Sequence, residues 1–305
     1  MHGTRHEVWS LTPQSHSGRT NCYNVDDVND APIGVFDSGL GGLTVARAII
    51  DQLPGEDVIY LGDSANTPYG SRRLSDVRAL TLAGLDSLVE QGAKILVIAC
   101  NTATAAALQD ARERYGEQGI PVIEVVSPAA KQGAAITRNG RIGVLGTAAT
   151  VRTGAYLDAL RAVPDVEVTQ NAAPSFVEFV EKGETTGDAV TEAARQHLAP
   201  LIAADVDTVI LGCTHYPLLT GVLSRLLGPG VRLVTSSEAT ANATYSALID
   251  LDLLHSPRAP GEHSRYRFLS TAESPEFSVL ARRFLGPEVH GVEVVAPTHR
   301  VEEAR

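Results

Sequence analysis

Short apolar runs rich in β-branched residues alternate with helix-like segments along most of this 305-residue chain. The segments between the runs carry apolar residues at helical spacing, as in SDVRALTLAGLDSLVEQG. Strands that alternate with helices are typical of α/β folds with parallel sheets. The pattern predicts strands at 33–36, 58–61, 95–99, 121–126, 141–145, 166–169, 208–211 and 231–235.

A second regularity divides the chain into two similar halves. The run IGVFDSG begins at Ile33 and IGVLGTA at Ile142, and each is followed by a later strand that ends in a cysteine, Cys100 or Cys213. This recurrence predicts two similar domains, each with a mainly parallel sheet flanked by helices, and an active site in the crevice between them. We expect residues 31–126 plus 239–290 to form the first domain, 127–238 the second, 1–30 a disordered extension and 291–305 a frayed tail.

Composition and charge restrict the class of partner. The net charge of -11 argues against nucleic-acid binding, which requires a basic surface. The apolar runs are far shorter than the roughly 20 residues that cross a bilayer, so we expect no membrane partner. The three cysteines make a disulfide framework improbable, and the first thirty residues show no secretory signal pattern. These features predict a cytoplasmic protein.

Cys100 and Cys213 each stand at the end of an apolar strand and precede polar residues, in CNT and CTH. A lone cysteine in such a place is usually a small core residue. Two of them at the mouth of one predicted crevice favour a chemical role. A helix N-terminus at each position would lower the pKa of the thiol below its ordinary value of about 8.5.

Three kinds of chemistry could use these cysteines. Nucleophilic hydrolysis would pair Cys213 with His215 as its base and would leave Cys100 without a role. A metal site of Cys100, Cys213 and His215 lacks support from any CxxC or HxxxH spacing. Direct proton transfer by two thiols, one on each face of a carbon acid, uses both cysteines and the duplicated architecture.

The turn DSGLGGLTV follows the first predicted strand and has two interpretations. Its match to a dinucleotide-binding fingerprint is incomplete, because Thr44 stands where the pattern needs glycine. The glycines either allow strand and helix to pack closely or form a cradle for an anion or carboxylate. In the second case Asp37 would be available as an acid or base.

Five motifs together resemble one known family. They are GVFDSGLGGLTV, YLGDSANTPYG, VIACNTATA, IGVLGTAATV and VILGCTHYPLL, and the similarity runs from about Ile33 to about Leu285. The chain is similar to the glutamate racemases of the cofactor-independent aspartate/glutamate racemase superfamily.

The resemblance implies a role for each matched residue. Cys100 and Cys213 would exchange protons with opposite faces of the glutamate α-carbon, without a cofactor or metal, and Asp37 and His215 would assist the neighbouring thiols. Glu181, in APSFVEFVEKG, would help Cys213. The implied substrate contacts are Asp37, Ser38, Tyr69, Gly70, Asn101, Thr102, Thr214 and His215.

Two of these residues also have plain structural interpretations. The family stretch around Glu181 usually starts Cys-Pro and has a second proline, where this chain has Ala173 and Glu178. Glu181 could then be a solvent-exposed helix residue. His215 could simply cap a helix or fill a polar pocket.

The function that the resemblance implies is interconversion of L- and D-glutamate, which supplies D-glutamate for peptidoglycan and thus for the cell wall and cell shape. The family is often dimeric, so a homodimer is compatible with it. The alternatives are a racemase for aspartate or a related acid, a decarboxylase or isomerase on the same fold, and a binding or regulatory protein with an inactive site.

Overall fold

The structure, a computed structural model, describes residues 29–273, 281–286 and 291–296. Each of the eight strands predicted above is present within one to three residues of its expected limits, and two more follow. The strands are β1 (Ile33–Asp37), β2 (Val58–Gly62), β3 (Ile95–Ile98), β4 (Val122–Glu124), β5 (Arg141–Gly146), β6 (Glu167–Ala172), β7 (Thr208–Gly212), β8 (Arg232–Thr235), β9 (Tyr266–Ser270) and β10 (Glu293–Val294).

Helices connect these strands. They are α1 (Leu43–Gln52), α2 (Leu74–Glu90), α3 (Asn101–Gly116), α4 (Val126–Ile136), α5 (Ala148–Thr153), α6 (Ala155–Leu160), α7 (Ser175–Glu181), α8 (Asp188–Ala203), α9 (Thr220–Leu227) and α10 (Ser236–Asp250). A further helical segment covers 281–285. Within the described ranges, no helix combines the length and the apolar character that crossing a membrane requires.

The strands form two sheets with the same internal order. One sheet runs β10-β9-β2-β1-β3-β4 and the other β6-β5-β7-β8, with parallel pairing throughout. The order β2-β1-β3-β4 in the first sheet corresponds to β6-β5-β7-β8 in the second. The predicted α/β fold class is therefore confirmed, and so is the internal repeat.

Burial on both faces explains the composition of the central strands. Every residue of β1, β2, β3 and β7 is buried, as expected for parallel strands covered by helices on each side. β6 lies at the edge of its sheet and is only partly buried. The continuous apolar runs thus mark the sheet centres, and the cysteine-terminated strands β3 and β7 are among them.

The chain passes from the first sheet to the second through α4 and returns through α10. This arrangement is compatible with the predicted domain limits, which remain a prediction. Of the expected disordered extension, 1–30, residues 1–28 lie outside the described part of the chain. Asn29 and Asp30 are described, and they accept hydrogen bonds from Lys94 and from the Ser256 N–H. Within the predicted frayed tail, Glu293–Val294 pairs with β9, while 297–305 also lie outside the described residues.

Candidate active site

Cys100 and Cys213 follow equivalent strands of the two sheets. Cys100 follows β3 after one residue and forms the N-cap of α3, where its sulfur accepts a hydrogen bond from the Ala103 backbone N–H at 3.4 Å. Cys213 directly follows β7. Both residues are buried, with 6% of each exposed. The repeat in the sequence therefore places one cysteine at the carboxyl edge of each sheet, as predicted.

Both cysteines line the same cavity. Most of the residues predicted to contact a substrate lie on its wall, together with residues from neighbouring loops. The wall consists of Ser38, Thr67, Pro68, Tyr69, Gly70, Cys100, Asn101, Thr102, Thr147, Val177, Cys213, Thr214 and His215. Asp37 and Glu181 stand behind this wall.

Cys100 is held in its protonated form. Burial disfavours the thiolate, and the nearby Asp37 carboxylate adds to this effect, so the pKa of the Cys100 thiol rises to about 12. The hydrogen bonds with Ser38 and Ala103 act in the opposite direction but are weaker. The expectation that the N-terminus of α3 lowers the pKa of this thiol is therefore wrong, because the loss of solvation outweighs a single backbone donor.

Cys213 has a different electrostatic environment. The His215 Nδ1 atom lies 3.8 Å from the Cys213 sulfur, and the His215 Nε2 atom lies 3.3 Å from a carboxylate oxygen of Glu181. Burial alone would lower the pKa of His215, but interactions with Cys213 and Glu181 outweigh it and raise the pKa to about 10. These two neighbours therefore favour the imidazolium form of His215 beside the sulfur.

Glu181 acts on this group from the protein surface. It ends α7 and its side chain is 41% exposed, so it resembles an ordinary helix glutamate in exposure. Its carboxylate nevertheless faces the imidazole of His215 rather than the sulfur of Cys213. The contact is a charge interaction at 3.3 Å and lacks the alignment of a hydrogen bond.

Asp37 is fully buried at the end of β1. One carboxylate oxygen, Oδ2, accepts a hydrogen bond from the Gly39 N–H at 2.9 Å, while Oδ1 has no hydrogen-bond partner in the described part of the protein. Burial raises the pKa of the Asp37 carboxyl, although His215 and nearby backbone N–H groups partly oppose the shift. Asp37 therefore influences Cys100 and His215 from behind the cavity wall.

The glycine-rich turn after β1 allows close packing between the two halves. A Cβ atom on Gly41 would lie 2.3 Å from the Thr214 hydroxyl oxygen and 2.5 Å from His215 Nδ1. One on Gly42 would lie 2.5 Å from Cβ of Asp37. Of the two interpretations of this turn, the structure supports close packing, and the cavity wall includes neither glycine.

Tyr69 contributes its ring to the cavity but not its hydroxyl. The hydroxyl donates a hydrogen bond to Asp63 Oδ2 at 2.6 Å. Asp63 also accepts from the Asn66 amide and from the Thr271 hydroxyl, which holds the loop after β2 in place. Any polar contact of Tyr69 with a substrate must therefore come from its backbone.

Thr147 is a cavity residue that the sequence analysis missed. It forms the N-cap of α5, and its hydroxyl lies 3.0 Å from that of Thr102 and 3.1 Å from that of Thr150. The repeat itself contained a signal, because Thr147 follows β5 as Ser38 follows β1.

Among the described residues, no group of three or more His, Cys, Asp or Glu side chains is arranged to hold a metal ion.

Comparison with known proteins identifies the family of this chain. A sequence model of the Asp/Glu/Hydantoin racemase family matches residues 33–244. This chain belongs to that family.

Individual relatives are similar along most of their length. A glutamate racemase from Beutenbergia cavernae is 56% identical over 271 residues, which cover 87% of this chain and 93% of that protein. The solved structure of the glutamate racemase isoform RacE1 from Bacillus anthracis is similar with a TM-score of 0.83 and 37% identity, over 89% of this chain and 100% of that one. The Francisella tularensis glutamate racemase, solved in complex with D-glutamate, has a TM-score of 0.80 and 32% identity over 88% and 98% of the two chains.

Proposed function

We propose that this protein is a glutamate racemase that interconverts L- and D-glutamate by proton transfer between the substrate and two cysteines, without a cofactor. The observation that carries the proposal is that Cys100 and Cys213, at equivalent strand ends, line one cavity. Its support from relatives is the 56% identity to a glutamate racemase.

The reaction balances with two thiols. The sulfur on one face of the substrate, as thiolate, takes the α-proton, and the thiol on the other face gives its proton to the planar carbanion. The two cysteines then hold the opposite protonation states, and the reverse reaction restores them. His215 lies beside Cys213 and can stabilise the negative charge that this sulfur carries during the cycle, while the raised pKa of Cys100 keeps that thiol able to donate.

Stabilisation of the carbanion requires more than two proton carriers. General acid/base transfer contributes roughly 10²- to 10⁴-fold, and oriented donors near the α-carboxylate must supply much of the rest. Asn101, Thr102 and Thr214 line the cavity and can provide such donors. The N-terminus of α3, which begins at Asn101, adds its backbone N–H groups.

The remaining residues predicted to contact the substrate lie around the two cysteines and the carboxylate donors. Ser38 lies beside Cys100 on the cavity wall, and Gly70 lies beside Thr147. Tyr69 also lines the cavity, while its hydroxyl is bonded to Asp63. Asp37 and Glu181 assist from behind, through their effects on Cys100 and His215. Thr147, whose hydroxyl lies 3.0 Å from that of Thr102, would be available to the second carboxylate of the substrate.

The deciding experiment replaces each cysteine separately. Cys100→Ala and Cys213→Ala should each abolish racemisation of L-glutamate, measured by circular dichroism with pure enzyme and no added cofactor. Cys22→Ala is the matched control and should keep wild-type activity. Full activity in either of the first two variants would refute the two-thiol mechanism, and faster turnover of aspartate than of glutamate would reassign the substrate.

In the cell, D-glutamate made by this reaction would supply peptidoglycan synthesis. The enzyme would act in the cytoplasm and would bind neither nucleic acid nor a membrane. We further propose the two domains with the limits given above. A homodimer is the assembly to test by light scattering of the pure protein.

A further inference from the structure

Tyr156 makes a buried hydrogen bond between the two halves of the molecule. It lies in α6, beside the second sheet, and its side chain is fully buried. Its hydroxyl donates to the Oδ1 atom of Asn101 at 2.7 Å. Asn101 is the first residue of α3, which follows the first sheet. The sequence analysis assigned no role to Tyr156.

The ring of Tyr156 also packs against the strand that leads to the second cysteine. A Cβ atom on Gly212, the last residue of β7, would lie 2.8 Å from Cε2 of the ring. Gly212 precedes Cys213 and Asn101 follows Cys100. One side chain therefore contacts the chain neighbour of each thiol.

This hydrogen bond determines how the Asn101 amide can bind a ligand. Burial raises the pKa of the Tyr156 hydroxyl well above its ordinary value, so the hydroxyl remains a donor. The Asn101 Oδ1 atom is then turned toward Tyr156. The Nδ2 atom is buried and has no hydrogen-bond partner within the described residues, and Asn101 lines the cavity.

With Oδ1 turned toward Tyr156, the unpartnered end of the amide is its NH₂ group, which carries two N–H donors. It can bind a carboxylate oxygen, whereas the ammonium group of an amino acid requires an acceptor. We propose that Tyr156 is a positioning residue that fixes the Asn101 amide so that its NH₂ group binds a carboxylate of the substrate. The identity of that substrate rests on the function proposed above.

Tyr156→Phe removes the hydroxyl and keeps the ring against Gly212. We expect kcat/KM for glutamate to fall about 10- to 100-fold, as for loss of one oriented donor. Tyr115→Phe is the matched control, because Tyr115 is also fully buried but lies at the far end of α3. Its hydroxyl donates to the Asp86 carboxylate and the Leu82 carbonyl, both in α2. The control should keep wild-type kcat/KM. A value within twofold of wild type for Tyr156→Phe would overturn the inference.

A double-mutant cycle separates positioning from a general loss of packing. If Tyr156 acts through Asn101, the change Tyr156→Phe should cost little further activity in an Asn101→Ala background. Equal fold losses in the presence and absence of Asn101 would show that Tyr156 acts independently and would contradict the inference.

A spectroscopic measurement tests the same contact without any turnover. In protein labelled with ¹⁵N at asparagine, Tyr156→Phe should shift the Asn101 side-chain NH₂ signals and speed their hydrogen exchange, whereas Tyr115→Phe should not. Unchanged signals would overturn the inference even in an active enzyme. A wild-type protein that failed to racemise glutamate would refute the proposed function, and the NH₂ signals would still report on the contact.

Discussion

The two proposed catalytic residues are chemically alike and electrostatically different. Cys100 faces the buried Asp37 carboxylate, which with burial raises the pKa of the thiol to about 12. Cys213 faces the imidazole of His215, whose pKa is raised to about 10. The two identical side chains therefore have different neighbours, a carboxylate for Cys100 and an imidazole for Cys213, and burial makes the largest contribution to the shift at Cys100.

The raised pKa of Cys100 predicts an unusual alkylation profile. In a variant with Cys22→Ser and Cys213→Ser, modification of Cys100 by iodoacetamide should accelerate about tenfold per pH unit from pH 7 to 10, because the thiolate is the reactive form. An ordinary thiol stops accelerating at about pH 9. Mass spectrometry measures the rate, and the same variant in guanidinium provides the reference. A plateau near pH 9 in the folded protein would contradict the assigned pKa.

Glu181 should set the pH at which the His215 cation is lost. A raised histidine pKa keeps the cation until pH rises through about 10, so removal of the Glu181 carboxylate lowers that limit. In Glu181→Gln the alkaline fall of kcat/KM should therefore begin at lower pH than in wild type. Glu178→Gln, on the same helix, is the control. An alkaline limb that did not move would remove Glu181 from the mechanism.

At the scale of elements, the turn between β1 and α1 decides how closely the two halves can approach. Gly41 lies directly against Thr214 and His215, which belong to the segment after β7. Any side chain there would separate the first half from the two residues that adjoin Cys213. The close contact thus couples packing to the geometry of the site.

Gly41→Ala should accordingly impair both stability and activity. Overpacking of this kind costs about 1–3 kcal/mol of unfolding free energy, and displacement of His215 should lower kcat at least tenfold. Gly55→Ala is a fair control, since a Cβ there meets nothing within 4 Å. Thermal unfolding and racemisation assays measure the two effects. Wild-type kcat in Gly41→Ala would contradict the predicted coupling between packing at Gly41 and the geometry of the site.

The elements of this fold were predictable to a different degree from the interactions of the site. Buried parallel strands such as Ile95–Ile98 have continuous apolar sequences, so the sequence alone shows a cysteine after each of two such strands. The direction of the Cys100 pKa shift depends on how completely α3 and Asp37 enclose the sulfur. Likewise, the Tyr69 hydroxyl donates to Asp63 because the loop after β2 folds back on itself, and no spacing in the sequence predicts that contact.

At the scale of the whole molecule, a buried ion pair secures the edge of the first sheet opposite the cavity. Lys94 Nζ lies 2.6 Å from Glu56 Oε2, and both side chains are almost completely buried. Lys94 also donates to the Asn29 carbonyl, and Glu56 accepts from the His255 N–H. The pair thereby joins segments that are distant in sequence.

Removal of one partner of the Lys94–Glu56 ion pair should lower the free energy of unfolding without altering catalysis. Lys94→Met leaves the Glu56 carboxylate buried without its cation, which typically costs about 3–5 kcal/mol. Lys94→Met combined with Glu56→Gln should recover part of that loss. Guanidinium unfolding measures stability, and kcat at low temperature should stay at the wild-type value because Lys94 precedes β3 and Cys100 follows it. A lower kcat would indicate coupling along the strand.

The equivalent order of strands in the two sheets has a kinetic consequence. The enantiomers of an amino acid have equal free energies in water, so any racemase must have the same kcat/KM in both directions. In the proposed mechanism the two matched sheets would place a thiol on either side of the substrate, and Asp37 and His215 would make those sides unequal. That inequality can therefore appear only as compensating differences in kcat and KM for the two enantiomers, with their ratio left unchanged.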